Sequence, residues 1–142
     1  CWSAGRQDRG IKRLPEEMKF LAILFSVLLL SLPLKAYELL MFSVNWCGYC
    51  VAFHEQVVPT YNDTEYAEIL PLVIIDAEDI PEWFTVAYEK GDIEKIKGTP
   101  TFIIWNEETQ VEVDRIVGYN GKEWFYERID YWIEHYEEYY GQ

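Results

Sequence analysis

The sequence predicts an α/β domain: a mixed four-stranded sheet with helices on both faces, in the order β-α-β-α-β-β-α. Three observations carry this prediction. Short continuous apolar runs at 39–44 and 72–75 alternate with helical stretches, the pattern of buried strands joined by a crossover helix. A strand–helix–strand unit of this kind is right-handed and parallel. A third apolar run at 101–105 is followed by a turn and an alternating segment, which adds an antiparallel hairpin.

Each element has its own signal. The first strand, 39–44, ends just before Trp46-Cys47-Gly48-Tyr49-Cys50. A helix over 51–58 follows, setting Cys50, Phe53 and Val57 on one side, and Pro59 ends it. Residues 61–70 are mixed and polar and read as a loop with one helical turn. The second buried strand is 72–75. Asp79-Ile80-Pro81 opens the next helix, Asp79 as cap and Pro81 near the first turn, running through Trp83, Phe84 and Tyr88 to Gly91. Lys97-Gly98-Thr99-Pro100 leads into the third strand, 106–109 make a turn, and Val111, Val113 and Arg115 alternate into Val117. Gly118-Tyr119-Asn120-Gly121 then breaks the chain. The last helix presents Phe125, Ile129, Trp132, Ile133 and Tyr136 as one apolar stripe.

Half of the 142 residues are hydrophobic and 17% aromatic, enough for a packed core and too apolar for disorder. The formal charge of -13 argues against nucleic-acid binding, which needs clustered Lys and Arg. The acidity is uneven: residues 37–142 carry six Lys/Arg against 22 Asp/Glu. It reads first as a solvated acidic surface, with a docking face for a basic partner as the alternative.

The first 36 residues read as separate from the fold. Met18-Lys19, the apolar run 20–34 and Lys35-Ala36 have the layout of a secretory signal over 18–36, which places the domain at 37–142 outside the cytoplasm. The run is shorter than the ~20 residues of a spanning helix, so an uncleaved membrane anchor is the second reading. Residues 1–17 are polar and basic and are read as an upstream artefact of start assignment, with Cys1 absent from the mature protein.

The chemistry is expected at Cys47 and Cys50. Disulfide exchange needs a thiolate with lowered pKa and access to solvent. Cys47, at a helix start, has unpaired backbone N–H groups and the positive end of the helix dipole to stabilise its anion. Cys50 lies one turn in and is the natural resolving thiol. Gly48 lets a substrate backbone approach, and Tyr49 between the cysteines can tune the redox balance. Structural zinc is the rival and needs four ligands, but only His54 and the remote His135 are at hand besides the two cysteines. His54 reads first as a partly exposed helix residue, with a proton shuttle as the alternative. Pro100 reads on its own as a strand-entry residue.

Together Trp46-Cys47-Gly48-Tyr49-Cys50, Gly98-Thr99-Pro100-Thr101-Phe102 and Gly118-Tyr119 resemble the thioredoxin superfamily, over residues 39 to about 133. Cys47-Gly48-Tyr49-Cys50 followed by His54-Glu55-Gln56 is similar to the catalytic domain of DsbC-type disulfide isomerases. The compact plan resembles the small periplasmic thioredoxin-like proteins of sulfur-oxidation operons. The resemblance implies a thioredoxin-like fold with Cys47 as nucleophile and Cys50 as resolving cysteine. It also implies a cis Pro100 beside them, a Thr99 backbone that pairs with substrate, and Trp46, Gly48 and Tyr49 at the substrate-binding surface. No cofactor beyond the Cys47–Cys50 disulfide is expected, and no metal.

The departures from the family are specific. Tyr49 stands where thioredoxin has Pro, and Met41 stands where it has a buried Asp that assists the resolving cysteine. No Lys or Arg occurs between Lys35 and Lys90, so the buried Lys partner is missing too. Proton transfer to Cys50 must then use water or another group. The dimerisation domain and large helical insert of the isomerases have no counterpart. The expected function is that of a monomeric, exported thiol–disulfide oxidoreductase. It would reduce periplasmic protein disulfides and be recharged by a membrane electron donor. An oxidase or isomerase role is the alternative within the class, and a non-catalytic binding module the alternative outside it.

Overall fold

The computed structural model describes residues 15–21 and 36–140, with side chains through Tyr136. The chain divides into two units, Cys1–Leu34 and Lys35–Gln142. In the first, residues 16–21 are helical, started by N–H bonds from Met18 and Lys19 to the Pro15 carbonyl. The apolar run expected to form a signal falls mostly on 22–35, outside the described residues. Among the described residues no helix is long and apolar enough to cross a membrane.

The second unit is built on a four-stranded sheet of order β2-β1-β3-β4. Strand β1 (Tyr37–Ser43) pairs parallel with β2 (Leu72–Asp76) and antiparallel with β3 (Thr101–Asn106), and β3 pairs antiparallel with β4 (Val111–Val117). This is the mixed sheet that the apolar runs predict. Helix α1 (Gly48–Gln56) and two short helices, α2 (Val58–Tyr61) and α3 (Tyr66–Ile69), fill the β1–β2 crossover. Helix α4 (Glu82–Lys90) lies between β2 and β3, and α5 (Lys122–Tyr140) closes the chain.

Strand alternation divides the core in two. Leu39 and Met41 face one side, where they pack with Phe53 of α1 and Phe125 and Ile129 of α5. Leu40 faces the other, where it packs with Phe84 of α4, Ile103 and Trp105. Ser43 continues the alternation of Leu39 and Met41, so the last residue of β1 points toward α1.

Three expectations need correction. The first helix begins at Gly48 and ends at Gln56, and Pro59 sits in the first turn of α2 instead of ending α1. Proline fits a first turn because its missing N–H would be unpaired there anyway. The 61–70 stretch is, as expected, a loop with one helical turn, α3. Strand β2 is not buried: it is the sheet edge, with only Ile75 enclosed and Ile74 exposed. Asp79 does not cap α4; Pro81 holds that position, without a side-chain bond. The carboxylate that braces this turn belongs to Asp76, which accepts from the Glu78 N–H at 2.9 Å.

Candidate active site

Strand β1 delivers the chain to one end of the sheet, and α1 starts there with Cys47 as its N-cap. The Cys47 sulfur accepts from the Cys50 N–H at 3.2 Å, taking the place that a Ser or Asp oxygen fills in most caps. The same thiol donates to the Thr99 carbonyl at 3.5 Å. In this structure Cys47 and Cys50 are both thiols.

The two thiols are driven apart. Burial raises the pKa of Cys47, but hydrogen bonds from the Cys50 and Thr99 side chains and from the Cys50 and Tyr49 backbone outweigh burial, and the net direction is down. Burial raises that of Cys50, reinforced by its bond to Cys47 and by the negative charge Cys47 acquires, so the net direction is up despite bonds from the Val44 backbone and Ser43. One thiol is thus prepared to ionise first while the other keeps its proton. Cys50 is 1% exposed, against 8% for Cys47.

Trp46 and Tyr49 flank the pair and are 80% and 65% exposed, unusual for aromatic side chains without a partner at their surface. Gly48 is exposed too, and a side chain there would meet no neighbouring atom. On the far side of Cys47 the Thr99–Pro100 peptide is cis, with Pro100 buried and Thr99 half-buried. Thr101 Oγ donates to the Gly98 carbonyl at 2.7 Å, and the Gly118 N–H donates to the Pro100 carbonyl at 2.8 Å. Gly118 has φ +85, a conformation other residues rarely adopt. Tyr119 follows it into the core, against Phe53, and its hydroxyl donates to Gln56 Oε1 at 2.7 Å. Residues far apart in sequence, 46–50, 98–102 and 118–119, therefore meet at one end of the sheet.

Two contributions escape the sequence reading. Arg115 of β4 donates to the Glu94 and Lys95 carbonyls at 2.9 and 3.2 Å and pairs with Glu112, pinning the loop that carries Thr99 and Pro100. Its only sequence signal is a basic residue in a strongly acidic chain. Ser43 is the other: its hydroxyl is 3.3 Å from His54 Nε2 and holds the Cys50 pKa down against burial. A lone polar residue closing an apolar strand was the available clue. His135, the remote histidine of the zinc alternative, stacks on Tyr131 instead, its ring centroid 4.1 Å away. Among the described residues no three His, Cys, Asp or Glu side chains are grouped to hold a metal.

The comparisons agree with this fold. A family model for the thioredoxin-like domain matches residues 35–133. No curated protein matches the chain by sequence. Among solved structures it is similar to the periplasmic thioredoxin SoxS from Paracoccus pantotrophus in its reduced form. The two are 25% identical with a TM-score of 0.57, covering 71% of this chain and 99% of that one. It is also similar in fold to Mala s 13, a thioredoxin of Malassezia sympodialis, at 21% identity and a TM-score of 0.52, covering 68% and 75% of the two chains. The chain belongs to the thioredoxin-like domain family.

Proposed function

From family membership as premise, we propose that this protein is an exported thiol–disulfide oxidoreductase that reduces disulfides of periplasmic proteins. The observation that carries the proposal is the asymmetry of the cysteine pair. Cys47 caps a helix with its sulfur on a backbone N–H, while Cys50 sits buried one turn in with its proton retained. The Cys47 thiolate attacks one sulfur of a substrate disulfide. A mixed disulfide forms and the other substrate sulfur leaves as thiolate. Cys50 then loses its proton and attacks Cys47 Sγ, breaking the mixed disulfide and releasing the second substrate sulfur. Two electrons pass to the substrate and the pair is left as a disulfide.

Substrate would lie across the exposed Trp46, Gly48 and Tyr49 and against Thr99 and Pro100, which border Cys47. The likeness to a periplasmic thioredoxin supports the compartment. The signal-like segment at 18–36 supports export. The domain works as a monomer, needs no cofactor beyond its own disulfide, does not bind nucleic acid, and is recharged by a membrane-borne donor.

Turnover of a protein disulfide, followed by insulin reduction with dithiothreitol as donor, tests the reading. Wild type accelerates the reaction and Cys47→Ser does not. Cys50→Ser makes a stable mixed disulfide with substrate. Equal rates for wild type and Cys47→Ser would leave only a binding module.

A further inference from the structure

Cys50 poses a problem that the exchange reaction must solve. It is buried at 1% exposure, its pKa is pushed up, and Met41 beneath it offers no group to take a proton. A route out nevertheless exists. Ser43 ends β1 on the face toward α1, 6% exposed, with its hydroxyl close enough to Cys50 to act on its acidity and 3.3 Å from His54 Nε2. Cys50 and His54 are four residues apart on α1 and so lie on one side of the helix, both facing Ser43. Half-buried His54 lines a groove of about 300 Å³, shared with Asn45, Val51, Glu55, Ile74 and Asp76. The chain from sulfur to solvent therefore runs thiol, hydroxyl, imidazole, groove.

We propose that Ser43 and His54 carry the Cys50 proton out during resolution of the mixed disulfide. The inference rests on the thiol–disulfide reading above. With His54 Nε2 as acceptor, the Ser43 hydrogen points to the ring and an oxygen lone pair remains for the thiol. The Cys50 proton moves to Ser43 Oγ as the Ser43 proton moves to Nε2, and the imidazolium discharges to water in the groove. The Cys50 thiolate forms its bond to Cys47 Sγ. The bond from Cys47 to substrate breaks, its electron pair stays on the substrate sulfur, and that sulfur takes a proton from water. Imidazole suits the task because it exchanges protons near neutrality. The charged groups around it are Glu55 on its own helix and Asp76 on β2, both lining the groove. Ser43, next to the reacting thiol, is the first proton acceptor of the relay; His54 acts through it.

Stopped-flow reaction of the reduced full-length chain with dithiobis-nitrobenzoate, in a Cys1→Ser background, separates the steps. The first coloured thiolate released reports attack by Cys47 and the second reports resolution by Cys50. The readout is the second rate divided by the first in the same variant, across pH, which discounts any general loss of folded protein. Ser43→Ala and His54→Gln are each expected to lower this ratio on the order of 100-fold at neutral pH. Both should also lose the neutral limb of the pH profile, leaving a rate that climbs only toward alkaline pH as Cys50 ionises unaided. Either variant keeping the wild-type ratio overturns the relay. So does a lowered ratio with an unchanged pH profile, which is what a merely structural role gives. Failure of wild type to release a second thiolate would instead defeat the oxidoreductase reading itself.

Discussion

Cys47 and Cys50 differ by three positions in sequence and by opposite directions in acidity. The cause is local: one sulfur sits at the helix cap receiving an N–H, the other inside the turn beneath it. Because the folded pKa of Cys47 lies below that of the free thiol, its ionised form stabilises the reduced protein above the unfolded pKa. That contribution fades as pH falls through the folded value. For Cys50 the sign reverses: its stabilising contribution is present below the unfolded pKa and is lost as pH rises through the folded one. Iodoacetamide labelling followed by peptide mass mapping should therefore show Cys47 modified with a midpoint below the ordinary thiol value of about 8.5, and Cys50 above it. Coincident midpoints would contradict the asymmetry. This pair was legible in the sequence, because two cysteines at a strand-to-helix junction carry their chemistry in their spacing. Ser43 was not, since a serine at the end of an apolar run declares its neighbours only once the strand's alternation and the helix's phase are both fixed.

At the scale of elements, the sheet order and both crossover and hairpin follow from the apolar runs, because each run is long enough for one strand and too short for a helix. The errors fell where the signal was polar or shared. The run at 72–75 reads as buried, yet β2 is an edge, since apolarity alone does not say which strand lacks a neighbour. Asp79 reads as a cap because its residue type suits one, but the turn before α4 is braced by Asp76. The loop before β3 shows the same limit. Its position beside Cys47 depends on Arg115, which reaches back about 20 residues in sequence to the Glu94 and Lys95 carbonyls. Arg115→Leu should cost about 1.5–3 kcal/mol in urea unfolding, since it removes charged hydrogen bonds and leaves the largely enclosed Glu112 without its cation. It should also slow disulfide turnover by loosening the Thr99–Pro100 loop. A variant with unchanged stability and turnover would show that the loop holds itself in place.

Over the whole molecule, burial of tyrosines links the core to pH. Burial first, and then the Tyr136 hydroxyl, raise Tyr37 to about 12. The bond donated to Asp130 raises Tyr66 to about 12, and burial raises Tyr61 as well. An unfolded tyrosine ionises near ~10, so the native state holds these protons longer and its stability falls from about pH 10 toward 12. Thermal melts across that range, with tyrosinate absorbance at each pH, should show ionisation arriving together with unfolding. Ionisation of all tyrosines near 10 in a folded protein would contradict the packing. The same scale holds the central claim, since a redox protein must cycle between two states without losing its fold. Equilibrating the chain in thiol redox buffers and following fluorescence of Trp46, beside Cys47, gives the potential of the Cys47–Cys50 couple. The account predicts a reversible two-electron transition near the ~-270 mV of thioredoxin. A potential of about -120 to -180 mV would reverse the direction of electron flow, and the absence of any reversible transition would contradict the account altogether.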